Sequence, residues 1–165
     1  MLLKKLLVLL IAVLGVATTA VAAEKTREFS IDGTYMKASE QPSFSMLNVS
    51  LGQFLTTQAV IVTALSTMDN YGYTITSIGL GGKFYFMDGL RGDLVPFAGA
   101  GIALRQVSGS GANTSSTQYD LNGGVAYFLS DVATLDAKAK LLSYEQPDGS
   151  RTTMTVLTVG LTQRF

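Results

Sequence analysis

Residues 152–165 read T-T-M-T-V-L-T-V-G-L-T-Q-R-F, and their alternation decides the fold class. Counting back from Phe165 in steps of two gives Gln163, Leu161, Val159, Leu157 and Thr155; the other parity gives Arg164, Thr162, Gly160, Thr158, Val156 and Met154. One parity is mostly apolar and the other mostly small or polar. A period of two belongs to a β-strand with one face against an apolar medium and the other against a more polar one. The stretch is also long enough to cross the hydrocarbon of a bilayer, which takes a tilted strand about ten residues. Soluble barrels alternate in the same way, so this strand alone leaves open which face is outside.

Working outward, seven more period-two segments precede it, separated by turn signals, and no stretch after Ala23 carries a sustained helical stripe. They are expected at 27–36, 44–54, 59–68, about 74–86, about 94–107, 117–129 and 133–144. The first sets Phe29, Ile31, Gly33 and Tyr35 against Ser30, Asp32, Thr34 and Met36. The third is ambiguous, because Ala59-Val60-Ile61-Val62 is apolar on both parities. A weak repeat resolves it: Phe54-Leu55-Thr56-Thr57-Gln58-Ala59 resembles Phe128-Leu129-Ser130-Asp131-Val132-Ala133, 74 residues on. That offset lays Ile61 on Leu135, so Ile61 and Leu65 are expected on the apolar face. It also hints at duplicated four-strand halves.

The 165 residues suit one domain, and they contain neither cysteine nor histidine. Disulfides, thiolate metal sites and Ser-His or His-metal catalytic arrangements are therefore excluded. Charged residues are 15% of the chain with zero formal net charge, against about 25% in an ordinary soluble domain, so there is no basic field for nucleic acid. Residues 1–23 read as a Sec-type signal peptide: Lys4 and Lys5 in a basic start, an apolar run from Leu6 to Val16, and Ala20-Val21-Ala22-Ala23 as the cleavage zone, cut after Ala22 or Ala23. An uncleaved anchor helix is the alternative, but the run is short for a span. The mature domain, residues 24–165, then has ten basic and twelve acidic residues.

Which face is inside follows from charge. With the apolar faces inward, the outside would be Ser, Gly, Asn, Ala and Thr with about one charge per strand, a poor surface for a soluble protein. With them outward, the inside holds Asp32, Lys83, Arg105, Asp120, Asp136, Lys138, Lys140 and Arg164. Three acids then meet five bases in a confined lumen, where opposite charges can pair and glycine and alanine leave room. This lumen charge network is expected to be structural; a proton or ion path is the sharper alternative. Aromatics fall near strand ends: Tyr35, Phe44, Tyr71, Tyr73, Tyr119 and Tyr144 at one rim, Phe29, Phe84, Phe86, Tyr127 and Phe165 at the other, as two interfacial girdles require. External loops are expected at 37–43, 69–73, 108–116 and 145–151, with periplasmic turns at 55–58, 87–93 and 130–132.

The fold class read from these patterns is all-β, an eight-stranded antiparallel up-and-down transmembrane β-barrel. Gln53-Phe54-Leu55-Thr56, Val95-Pro96-Phe97-Ala98-Gly99-Ala100-Gly101-Ile102, Ala126-Tyr127-Phe128-Leu129-Ser130-Asp131 and the terminal Gln163-Arg164-Phe165 give the chain a further likeness. It resembles the small outer-membrane β-barrel proteins related to opacity-type surface antigens, over about residues 29–165. The resemblance implies insertion into outer-membrane lipid by the barrel-assembly machinery, with Phe165 as part of the assembly signal, and often no enzymatic activity. The short expected loops depart from that family and speak against an adhesin. The expected function is a non-catalytic barrel with a structural or surface-interaction role in the bacterial cell envelope, monomeric, without cofactor, metal or nucleic acid. Two other readings stay open: a soluble periplasmic lipocalin-like ligand-binding barrel, and a barrel enzyme acting on lipid with an unusual Ser/Asp/Lys arrangement. Glycine-rich pieces such as Gly79-Leu80-Gly81-Gly82 lack the strand-then-helix context of a phosphate loop, and the sequons at Asn48 and Asn113 are assigned no role.

Overall fold

The computed structural model describes residues 26–36, 44–70, 73–87, 93–109, 112–145 and 149–165; segment 1–23, expected to be a signal peptide, and Tyr71 lie outside them. Eight strands follow in order: β1 Arg27–Met36, β2 Phe44–Phe54, β3 Ala59–Asn70, β4 Tyr73–Tyr85, β5 Leu94–Gly109, β6 Ala112–Ser130, β7 Ala133–Glu145 and β8 Arg151–Arg164. Each pairs antiparallel with its chain neighbour, and β8 returns to β1 to close the barrel. Closure leaves no sheet edge, the condition for strands placed in hydrocarbon.

The strand bounds match the alternation within one or two residues except in the β5–β6 hairpin. There the ladder continues to Gly109↔Ala112, and the loop expected at 108–116 is mostly strand. Residues 112–117 are polar or small on both parities, so no alternation marks them; backbone pairing with β5 suffices to extend the ribbon. Likewise Asp69, Asn70 and Tyr73 are strand rather than loop. At the opposite end, Thr56 Oγ1 accepts from the Gln58 and Ala59 amides at 3.2 and 2.9 Å and shapes the β2–β3 turn.

Register partners followed from Arg164 through Glu28, Gly52, Val62, Gly81, Gly101, Asp120 and Leu142 return to β8 at Met154, ten residues along the same strand. For eight strands that stagger corresponds to a tilt of about 40° and an interior narrow enough for side chains to fill. The parities fall as expected. Ile31, Leu47, Ile61, Ile78, Leu80, Ile102, Leu121, Leu135, Leu141 and Leu161 are exposed on the outside, and Leu104 and Leu157 are each 70% exposed, whereas Asp32 is 2% exposed. This distribution inverts that of a soluble protein and suits an apolar solvent outside.

Two apolar clusters sit inside. Phe44, Met46, Met68, Ile75, Leu142 and Val156 fill the end bearing the β1–β2, β3–β4, β5–β6 and β7–β8 connections, here the loop end. Val60, Tyr85, Val95, Phe97 and Ala126, with Phe54 and Phe128 against them, fill the end bearing the chain termini. The 74-residue offset holds for one hairpin only. It lays the Asn48↔Ser66 pair of β2–β3 on the Asn122↔Lys140 pair of β6–β7, but lays inward Glu28 on outward Ile102.

Candidate functional site

The inward parity of each strand delivers polar groups between the two apolar clusters, and the register decides which of them meet. Lys138 Nζ donates to Asp32 Oδ2 at 2.7 Å, Lys140 Nζ lies 3.3 Å from Oδ1, and Asn48 Nδ2 donates to Oδ2 at 2.8 Å. Asp32 is on β1 and the lysines on β7; their side chains reach past β8, where Gly160 stands opposite Asp32. Asp136 meets no base among the described residues. Thr134 and Thr162 hydroxyls donate to its two oxygens at 2.7 and 2.6 Å, and Ser30 continues the chain with Oγ 2.7 Å from Thr162 Oγ1. Asn122 Nδ2 donates to Asp120 at 3.3 Å. Near the loop end, the Arg105 guanidinium stands 3.9 Å from the Tyr144 ring centroid.

Near the termini a group absent from the sequence-derived set appears. Glu28, 1% exposed, forms an ion pair with Lys83 and accepts a 2.8 Å hydrogen bond from Tyr85 Oη. Lys83 Nζ also lies 4.7 Å from the Tyr85 ring centroid and 5.6 Å from that of Phe97. Arg164 projects among Phe54, Tyr85 and Phe128, at 5.4, 4.6 and 4.7 Å from their centroids. Among the described residues the lumen thus holds four acids and five bases, divided into separate sites rather than joined as one network. Parity could have found Glu28, two residues before Ser30; the expected set began one step too late.

Glycines make this packing possible. A Cβ on Gly52 would come within 2.6 Å of both Glu28 Cγ and Val60 Cγ1, and one on Gly101 within 2.7 Å of Asp120 Oδ2. Glu28 and Asp120 thus each lie over a position where a further side chain would crowd them.

The outer surface corrects the girdles in part. Tyr35, Tyr73 and Tyr119 are exposed at the loop end and Phe84, Phe86 and Tyr127 at the other, with Phe84 and Phe86 edge to face at 5.2 Å. Phe44 and Tyr144, expected at the rim, share the inward parity of Asn48 and Lys140 and face the lumen. An aromatic at a strand end takes the face its parity dictates, whatever its affinity for the interface.

Comparison with protein-family models and with curated proteins finds no match. Solved structures do match. The chain superposes on Neisserial surface protein A with a TM-score of 0.68 at 17% identity, over 87% of this chain and 99% of that one. The N-terminal β-barrel domain of Pseudomonas aeruginosa OprF gives 0.66 at 17%, over 87% and 100%. The Yersinia pestis outer membrane protein Ail, in a phospholipid bilayer nanodisc, gives 0.54 at 12%, over 86% and 100%. The fold is that of the small outer-membrane β-barrels. Within this outer-membrane barrel fold, the polar middle of the lumen encloses a cavity of about 100 Å³. Ser50, Ser66, Asn48, Asn122, Lys138 and Asp120 are among its lining residues. A polar space of this size holds a few waters. The two apolar clusters cap it toward the loops and toward the termini.

Proposed function

We propose that the chain is a non-catalytic integral protein of the bacterial outer membrane, with a structural or surface-interaction role in the cell envelope. One observation carries the reading: a closed barrel whose outward face is largely apolar between the strand ends, with the charges of that middle zone turned inside and exposed charges such as Arg27, Asp69, Glu145 and Arg151 only at the ends. Such a surface is stable only against lipid. The signal-peptide reading of residues 1–23 supplies the export route, and the barrel-assembly machinery, meeting the strand that ends at Phe165, supplies insertion. Outer-membrane lipid is then the main partner and the monomer the working form. A soluble ligand-binding barrel would line its interior with apolar surface; here Asp32, Asp136, Lys140 and Thr158 are buried inside. Against an enzyme stands the absence of histidine and cysteine from the sequence.

Cell fractionation combined with gel mobility before and after boiling tests the proposal. The mature protein is expected in the outer-membrane fraction, with a shift in mobility on heating. Recovery as a freely soluble periplasmic protein would overturn it.

A further inference from the structure

We propose that Arg164 is a closure latch: its side chain locks the seam between β8 and β1 by entering a ring of aromatics that only the completed barrel presents. The seam differs from the other seven pairings. Those join chain neighbours, whereas β8 and β1 are the two ends of the domain, so their pairing closes the longest loop in the chain. It is also the shortest ladder, running from Glu28↔Arg164 to Gly33↔Val159. At its terminal end Arg27 and Phe165 exchange backbone hydrogen bonds, both 3.0 Å, and the Arg164 amide donates to the Val132 carbonyl at 2.7 Å. Arg164 therefore stands at the terminal end of the seam, one residue inside the Arg27–Phe165 exchange.

The rings around it come from β2 (Phe54), β4 (Tyr85) and β6 (Phe128), none of which neighbours β8, and β4 lies directly across the barrel. With β8 on β7 but parted from β1, the sheet is open and Phe54 and Tyr85 are remote from Arg164. The cage exists only after closure. Arg164 is 9% exposed, and its Nε and Nη2 are buried without a hydrogen-bond partner. A guanidinium tolerates this because it is weakly hydrated and its planar cation is attracted to ring faces. Tyr85 also donates to Glu28, the register partner of Arg164, so the ring that holds the arginine is tied to the strand that β8 must meet.

The test uses the mature chain refolded from urea into detergent micelles, with closed barrel read by heat-modifiable mobility and opening followed in time at high urea. Arg164→Leu keeps the apolar volume but removes the cation, and is expected to open at least tenfold faster than the parent. Phe54→Leu, which removes a ring that meets Arg164 only across the closed seam, is expected to speed opening severalfold, and the double variant to open no faster than Arg164→Leu alone, because each group acts through the other. Should Arg164→Leu yield no closed barrel, Arg164→Lys, which keeps the charge but loses the plane, replaces it in the same cycle. A seam-specific readout comes from Ile31→Cys with Leu161→Cys, register partners in a chain that has no other cysteine. With that disulfide formed, the arginine variant should open at the rate of its cross-linked parent. Parent-like opening without the cross-link, rates that multiply in the double variant, or an undiminished defect with the seam bonded would each overturn the latch.

Discussion

The two ends of the lumen are closed by different chemistry. At the loop end Phe44, Met46, Met68, Ile75, Leu142 and Val156 pack like the core of a soluble domain, apolar against apolar. At the terminal end the rings of Tyr85, Phe97, Phe54 and Phe128 surround Lys83 and Arg164, and Glu28 is buried among them. An apolar layer loses stability in proportion to the volume removed, and its members can be exchanged for others of similar size. A layer built on buried charge is intolerant of losing one partner, since the other is left charged and unpaired. The ends should therefore differ less in total stability than in how they fail.

The largest expected effect is at the terminal end. Glu28→Leu leaves Lys83 without its carboxylate and Tyr85 Oη without its acceptor, and should cost about 3–5 kcal/mol, measured by reversible urea unfolding in micelles or thin bilayers. Leu142→Ala in the loop-end layer should cost somewhat less, about 2–4 kcal/mol, through a cavity the neighbouring methionines can partly fill. A cost at Leu142 well above that at Glu28 would reverse the comparison. The smallest effect should come from removing both charges: Glu28→Leu with Lys83→Met should lie within about 2 kcal/mol of the parent, because a buried pair and an apolar replacement of similar volume are often near equal. If the double variant is as unstable as Glu28→Leu alone, the unpaired lysine is not the source of the loss.

Much of this was readable in the amino acids because a β-barrel writes its inside and outside in alternate letters. Strands β1 and β2 coincide with their alternation, and Ile61 and Leu65, assigned outward from the repeat with β7, do point outward. Three things resisted. Residues 112–116 form strand with no change of polarity from one position to the next, so nothing marked them. Phe44 and Tyr144 have the chemistry of interfacial aromatics, but their parity places them inside. The partners of each charge were beyond reach, since Asp32 meets Lys138, 106 positions away, only because the stagger of the strands carries the two to one height. Parity is local, whereas pairing in the lumen depends on the stagger accumulated around the whole ring.

The glycines opposite long lumenal side chains have a consequence for how such a chain can drift. A side chain at 52 collides with Glu28 Cγ and Val60 Cγ1, and one at 101 displaces the Asp120 carboxylate, so a change at either position asks the facing side chains to move or change with it. Outward positions such as Leu104 or Leu157 carry no such coupling; any apolar residue serves there. Substitution should accumulate singly on the lipid side and in compensating pairs on the other. That is a route by which two barrels can share only 17% of their residues, as this chain does with Neisserial surface protein A, while keeping one backbone.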